Sequence, residues 1–540
     1  MIDEFDYVIV GAGSAGCVLA GRLSVDPAVT VLLVEAGPPD THPLIAMPMG
    51  IGRTLQDPSL LWVYQTEPEP AHGNRPYVWI RGKMLGGSSS VNGMLYFRGQ
   101  PQDYDGWAAA GCPEWSWAQM SRCFREIEDH ELGDDGIRGV GGPLHISVQR
   151  EHTPLTEAII EAGTALGLTR KEDLNRPEQE GVGYSPRTIR RGRRVSAADA
   201  FLKPARHRAN LQVRTGLLAT KILFEQRRAT GVRVRSASEA PGVGAPGVET
   251  HTVRARREVI LAAGTLQSPL LLQASGVGPG AQLQGLGIAV VHDNPNVGEN
   301  LREHKTVSWQ LRLKQPYSLN RELRGWRLKW NALRYFLTQT GPLAATYDIN
   351  AFIRTRPELD RPDAQLTFWA LSTKPGTLEP QAFPGLMLMG YPLRTESRGH
   401  VQLSTPDAAA PPLIKANFLA TDYDRRTIVD LYRYARRWLA RAELDSYLDG
   451  FTRPAQPVET DEEIIAYCLA CETCLHAVGT CAMGAGEDAV VDGRLRVRGV
   501  ERLRVMDLSV LPTQVSGNTN GAAMAMAWRA AEIILQDRGS

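Results

Sequence analysis

The spacing of apolar positions changes along the chain, and the changes mark its elements. A short β-rich run at 7–10 leads into a helical stretch at 15–23 and a second apolar run at 29–34. Strand, helix and strand in that order predict a βαβ unit. Helical spacing recurs over 107–131 and 153–166, while 214–234 reads as paired strands and 239–248 as a Pro/Gly hairpin loop. At 258–263 a strand closes on Gly264, and a helix over 269–274 stops at Ser275 and Gly276. This repeats the opening arrangement and is expected in the same sheet.

Beyond about residue 301 the runs become strand-like, at 307–313, 365–370 and 386–391, which predicts a second layer with an antiparallel sheet. Between them Leu323, Trp326, Trp330, Leu333 and Leu337 form a helical apolar stripe flanked by Arg324, Arg327, Lys329 and Arg334. Such a stripe ordinarily faces a core. Its basic flanks also suit a membrane surface, so peripheral membrane contact through 321–338 is the second expectation. The chain then returns to the first sheet with a strand at 503–507, a loop at 509–517 and a small-residue helix at 521–535.

The opening unit carries chemistry. Gly11, Gly13 and Gly16 fit G-x-G-x-x-G around Ser14 and Ala15, and Glu35 and Ala36 close the second strand. Gly11 permits the turn, Gly13 lets backbone approach a pyrophosphate, and Gly16 lets helix and strand pack closely. Glu35, nineteen residues after Gly16, can accept from both hydroxyls of a ribose, so the ligand is an adenine dinucleotide without a 2'-phosphate. NAD and FAD both satisfy this motif. A second small-residue segment, 82–93, carries Gly82, Met84, Gly86, Gly87, Ser88, Asn92 and Gly93, and runs on into Met94 and Leu95. Its glycines let backbone lie flat on a planar ligand.

Composition narrows the class. With 540 residues, two domains are expected. Lys plus Arg number 60 against 59 acids, a formal charge of +1, which argues against a nucleic-acid partner. The one basic cluster, Arg187, Arg190, Arg191, Arg193 and Arg194, reads as a solvated loop. No apolar stretch reaches transmembrane length, and Asp3, Glu4 and Asp6 before the first strand do not suit a signal peptide. A cytoplasmic protein, with or without a peripheral seat on the inner face of the membrane, is expected. Its seven cysteines are expected as reduced thiols, and Cys468, Cys471 and Cys474 as small apolar residues on one helix face, with no metal.

The longer motifs resemble the glucose-methanol-choline oxidoreductases over the whole chain. Residues 82–105 are similar to that family's first signature, 264–278 to its second, and the segments starting at His476 and Pro512 to those carrying its catalytic pair. Two departures stand out: Ala477 in place of a common proline, and Glu303 in place of Asp in the N-L-x-D-H pattern at 300–304. The resemblance implies an α/β fold: a Rossmann-like FAD-binding domain and a substrate domain with an antiparallel sheet backed by helices. The expected division is 1–150, 195–300 and 475–540 for FAD, and 151–194 and 301–474 for substrate. It also adds Ala219, Ala263, Gly264, Ser268, Asp507, Leu508 and Thr519 to the FAD contacts.

By the same resemblance, His476 takes the hydroxyl proton of a primary alcohol while hydride passes to flavin N5, and Asn518 donates to the developing alkoxide. The turn from Asn518 opens the last helix, whose N-terminal dipole favours negative charge on reduced flavin. Tyr96, Phe97, Tyr347 and Trp369 are the expected aromatic wall. No carboxylate stands out as partner for a quaternary ammonium, so an uncharged aliphatic or aromatic alcohol is expected. The acceptor is oxygen, a quinone or another carrier, with a lean towards a dehydrogenase. A hydroxynitrile lyase retaining FAD is the alternative from another class.

Overall fold

The computed structural model describes residues 3–238, 249–374 and 377–538. The loop expected at 239–248 lies outside the described residues.

The first sheet has seven strands. Leu211–Arg214, Val31–Val34, Asp3–Val10 and Thr250–Leu261 run parallel side by side. The last of these serves two neighbours. Its first half pairs antiparallel with Arg228–Ser236, and its second half pairs parallel with Leu503–Val505. The repeated strand, glycine turn and helix thus do lie beside the opening unit, in register Tyr7 to Glu258 through Val10 to Leu261. Val8, Ile9, Leu32, Leu33 and Ile260 are wholly buried, as strands covered on both faces require.

The second helix begins earlier than expected, at Gly264, with Pro269 inside it. Pro269 has no N–H to give the Thr265 carbonyl one turn back. The Thr480 hydroxyl donates to that carbonyl instead, at 2.5 Å, so the helix continues. The helical pattern at 107–131 is two helices, Pro101–Ala109 and Trp117–Ile127. Gly111, at φ +96°, and Pro113 break it between them.

The second sheet has six strands in the order Leu448–Arg453, Val307–Leu313, Gly385–Pro392, Ala364–Trp369, Ile349–Ile353, Gly181–Tyr184, each antiparallel to the next. Period two sorts its side chains. Ala364, Leu366 and Phe368, with Ile349, Ala351, Leu386 and Leu388, enter one core cluster. That cluster is closed by the amphipathic helix Asp422–Leu439, whose Ile428, Leu431, Ala435 and Trp438 recur at helical spacing. The alternate residues Gln365, Trp369, Asn350 and Tyr391 therefore face the other way, towards the first sheet's loops.

Two expectations fail. The helix Asp461–Ala470 ends before Cys471, so Cys471 and Cys474 lie beyond it rather than along one face. All seven cysteines are free thiols, and among the described residues no cluster of metal-ligating side chains forms. The stripe on Gly325–Thr338 does not face the core. Trp326, Trp330, Leu333 and Leu337 are exposed, and it is Asn331 and Tyr335 that point inward.

Candidate active site

The candidate cofactor cradle is built where backbones meet. Gly11 turns at φ +100°, its N–H donating to the Val34 carbonyl at 2.8 Å. A Cβ on Gly16 would overlap the Gly11 carbonyl oxygen, whereas a Cβ on Gly13 would meet nothing within 4 Å. The helix Ser14–Leu23 starts here, and the Ser14 hydroxyl donates to Asn520 Oδ1 at 2.7 Å. Asn520 opens the closing helix Asn520–Asp537, directly after Thr519, so two helix N-termini converge. The buried Glu35 accepts from the N–H groups of Ala12 and Gly37, both at 2.8 Å, one on each oxygen. Each oxygen keeps a lone pair. Ala36 follows it in the chain, and the Leu217 N–H, which starts the strand carrying Ala219, donates to the Glu35 carbonyl at 3.0 Å.

The second segment docks on this loop. The Gly86 N–H donates to the Ala12 carbonyl at 2.8 Å, and a Cβ on Gly87 would stand 2.8 Å from the Gly13 Cα. The Ser88 hydroxyl accepts from the Gly82 N–H at 3.1 Å, and Met84 and Leu95 are buried beneath. Met94 adopts left-handed backbone, φ +61°, its N–H on Asn92 Oδ1. Arg194, from the basic cluster, is buried and donates to Asn92 Oδ1 and the Asn92 carbonyl, both at 2.7 Å. Burial pulls its pKa down to about 9. A third turn closes the cradle. Asp507, beside Leu508, accepts from the Gly264 N–H at 2.9 Å and the Ser268 hydroxyl at 2.6 Å, while Ser268 accepts from the Ala263 N–H at 3.2 Å. The open backbone at Gly13, the paired helix N-termini and the carboxylate at Glu35 fit the diphosphate and ribose of FAD.

The candidate catalytic pair sits where the two sheets face each other. His476 and Asn518 come together, Asn518 Nδ2 standing 3.2 Å from His476 Nε2. On the ring's other side, His476 Nδ1 is 3.0 Å from His304 Nδ1. His304 Nε2 lies 3.1 Å from the Leu393 carbonyl, which only accepts, so that nitrogen carries the His304 proton. Its Nδ1 then accepts, His476 Nδ1 donates, and His476 Nε2 presents a lone pair to the Asn518 amide. The orientation of Asn518 agrees, since its Oδ1 accepts from Gln365 Nε2 at 3.1 Å, while the Tyr391 hydroxyl, 3.3 Å from that oxygen, gives its one proton to Gln365 Oε1 at 2.5 Å. Burial holds both rings neutral, His304 down to about 4 and His476 well below the ordinary histidine value, with His304 and Arg81 adding to the second effect.

The backbone of this pair is fixed by Glu303, whose Oε1 accepts from the His476 N–H at 2.7 Å and the His304 N–H at 2.9 Å. Burial lifts its pKa to about 7. Sequence reasoning noted Glu303 and His304 only as a variant of a motif, and missed Gln365 and Tyr391. The signal for Gln365 was a polar residue inside an apolar strand.

Of the expected wall, Tyr347 and Trp369 stand together, ring centroids 4.7 Å apart, and a Cβ on Gly93 would touch Tyr347 at 2.5 Å. The Trp369 indole N–H is buried with no hydrogen-bond partner among the described residues. Phe97 packs on Phe352 and backs the loop before Asn518, where a Cβ on Gly517 would meet it at 3.0 Å. Tyr96 is not brought to this group. Its hydroxyl donates to Glu128 at 2.6 Å inside the core around the first sheet.

A family model described as GMC oxidoreductase matches residues 5–306, and its C-terminal counterpart matches 395–527. The chain is 38% identical to an oxygen-dependent choline dehydrogenase of Brucella anthropi over 98% of its own length and 96% of the relative's. Among solved structures, pyridoxine 4-oxidase from Mesorbium loti superposes with a TM-score of 0.88 at 33% identity, covering 98% of this chain and 99% of that one. Formate oxidase gives 0.91 at 26% identity, covering 100% and 99%. The fold is that of FAD-binding oxidoreductases, the cofactor is FAD, and the donors oxidised are CH–OH groups. With both family models matched and relatives aligned end to end, the chain belongs to the GMC oxidoreductases.

Proposed function

We propose that the protein oxidises an uncharged primary alcohol, aliphatic or aromatic, to the aldehyde. The observation that carries this reading is the tautomer of His476, a buried neutral ring whose Nε2 lone pair faces the Asn518 amide. A hydroxyl seated between them gives its proton to Nε2 while Asn518 Nδ2 donates to the alkoxide oxygen. Bound FAD supplies the hydride acceptor. Residues Gly11 to Gly16, Glu35, 82–95 and the Ala263–Asp507 turn hold it, and the division into FAD and substrate domains belongs to the same proposal.

The pocket chemistry supports a neutral substrate. The carboxylate at the pair, Glu303, has one oxygen on two backbone N–H groups and the other 3.9 Å from Arg81. Tyr347 and Trp369 offer flat apolar area and one indole donor. A second reading, choline, draws on 38% identity to choline dehydrogenases and on the attraction of aromatic faces for a quaternary ammonium. Oxygen, a quinone or another carrier then takes the electrons.

The test is the visible spectrum of the holoprotein mixed anaerobically with uncharged primary alcohols and, separately, with choline. Bleaching by the former at lower concentration supports the proposal, and fast recovery in air marks an oxidase. Bleaching by choline alone replaces it with the second reading. No bleaching by any alcohol, with cyanide released from a cyanohydrin, overturns both in favour of a lyase.

A further inference from the structure

We propose that the helix Gly325–Thr338 is a docking surface for an anionic lipid bilayer. Trp326, Trp330, Leu333, Phe336 and Leu337 are 71%, 61%, 51%, 60% and 74% exposed, and they include every exposed large aromatic among the described residues. At 100° per residue, Trp326, Trp330, Leu333 and Leu337 fall on one outward line, with Phe336 beside it. Arg327 and Arg334 run along one flank and Lys329 along the other.

The helix cannot turn this ridge inward, because its inner face is committed. The Tyr335 hydroxyl shares its one proton between the carbonyls of Ala46, at 3.2 Å, and Gly192, at 3.1 Å, and Asn331 donates to the Glu322 carbonyl at 3.0 Å. Tyr335, Leu328 and Ala332 pack in the cluster that contains Trp369 and Tyr347. The ridge therefore stands outside the aromatic wall of the pocket.

Charge selects the occupant. From 321 to 340 the chain carries five basic residues and one acid, Glu322, which Arg327 pairs at 2.5 Å, against a whole-chain charge of +1. The basic loop arrives at the same place: Gly192 lies against the Gln339 carbonyl, and Arg190, Arg191 and Arg193 beside it are exposed. Apolar ridge and cations together match acyl chains beneath anionic headgroups. A second copy docked by two-fold symmetry would set these cations against one another. Tryptophan suits the headgroup level in particular, since its ring is apolar and its N–H finds a partner there. The anchor is peripheral: among the described residues no helix is long and apolar enough to cross a membrane. This inference stands whichever alcohol is oxidised.

The holoprotein is floated with phosphatidylcholine vesicles and with vesicles of phosphatidylcholine mixed with phosphatidylglycerol. It should bind the mixed vesicles at least about tenfold better, lose that preference in high salt, and shift its tryptophan emission to the blue. The triple variant W326E/W330E/F336E should lose flotation about tenfold while oxidising a soluble alcohol at the wild-type rate. R190E/R193E/K329E should lose only the preference for anionic lipid. No flotation of wild-type protein overturns the proposal, as does equal flotation of wild type and triple variant. Concentration-dependent dimerisation abolished by the triple variant, without vesicle binding, overturns it in favour of a self-interface.

Discussion

The Nδ1 atoms of His304 and His476 stand 3.0 Å apart with one proton between them, and the Leu393 carbonyl decides which ring owns it. By claiming the His304 Nε2 proton, that carbonyl leaves His304 Nδ1 as an acceptor and fixes His476 as the donor. The nitrogen proposed to take the substrate proton, His476 Nε2, is thereby kept bare. On the proposed mechanism His304 is a positioning residue, acting on the substrate only through His476.

Replacing His304 tests this directly. His304→Phe keeps an aromatic ring but cannot accept, so His476 is free to adopt the wrong tautomer, and anaerobic flavin reduction should slow about 10²-fold with the substrate dissociation constant little changed. His304→Gln offers an amide oxygen to the same N–H and should recover part of the rate. Equal rates in the two variants would reduce His304 to a packing residue, as its stacking on Tyr391 at 4.7 Å would alone suggest.

Asn518 offers a second test through charge. Its amide donates to His476 Nε2, and Asn518→Asp puts an acceptor with negative charge there instead. A carboxylate beside imidazole favours the protonated ring, so the pKa of His476 should rise. The acid limb of the rate of flavin reduction should move to higher pH. In the wild type the rate should stay flat through neutrality and fall only in acid, because burial holds His476 well below 6.5.

The first sheet was legible because its strands are apolar runs punctuated by glycine, and its chemistry lies in adjacent residues such as Gly11 to Gly16. Three of the second sheet's six strands, at 307–313, 365–370 and 386–391, were legible too, since period two needs only local sequence; those at 181–184, 349–353 and 448–453 were not. The proton network was not. His304, Leu393, Gln365 and Tyr391 come from separate elements, and only folding sets them around His476 and Asn518. The outer helix failed for a related reason: an apolar stripe at helical spacing does not say which side the rest of the chain takes. Tyr335 and Asn331, with their hydrogen bonds, took the inner one.

The glycine loop separates folding from cofactor retention. A Cβ at Gly13 meets nothing within 4 Å of protein, so Gly13→Ala should leave the apoprotein's thermal midpoint nearly unchanged. In the proposed cradle that Cβ stands where the dinucleotide approaches, so the FAD content of purified protein should fall. Gly16→Ala drives a Cβ into the Gly11 carbonyl and should lower stability itself, by about 1–3 kcal/mol, as overpacking does. Calorimetry of apoprotein and the flavin-to-protein absorbance ratio distinguish the two. Full FAD content in Gly13→Ala would remove that residue from the cradle.

Stability should also report the buried pair. An unfolded chain protonates both histidines as pH falls through about 6.5, while the folded chain resists until about 4 for His304 and well below 6.5 for His476. The unfolded state then binds more protons, so the stability these rings contribute is full above about pH 6.5 and is lost as pH falls towards 4. Glu303 works in the opposite sense. Raised to about 7, it binds a proton in the folded chain before the unfolded one does, and it returns part of the loss between pH 7 and about 4.5. Two depressed histidines against one raised carboxyl leave a net decline, so the thermal midpoint should fall between pH 7 and 5. His304→Gln removes one of the two titrations and should flatten that slope, while Glu303→Gln removes the compensation and should steepen it. A midpoint that follows the same pH slope in all three proteins would mean that the cluster's charge states do not differ between folded and unfolded chains.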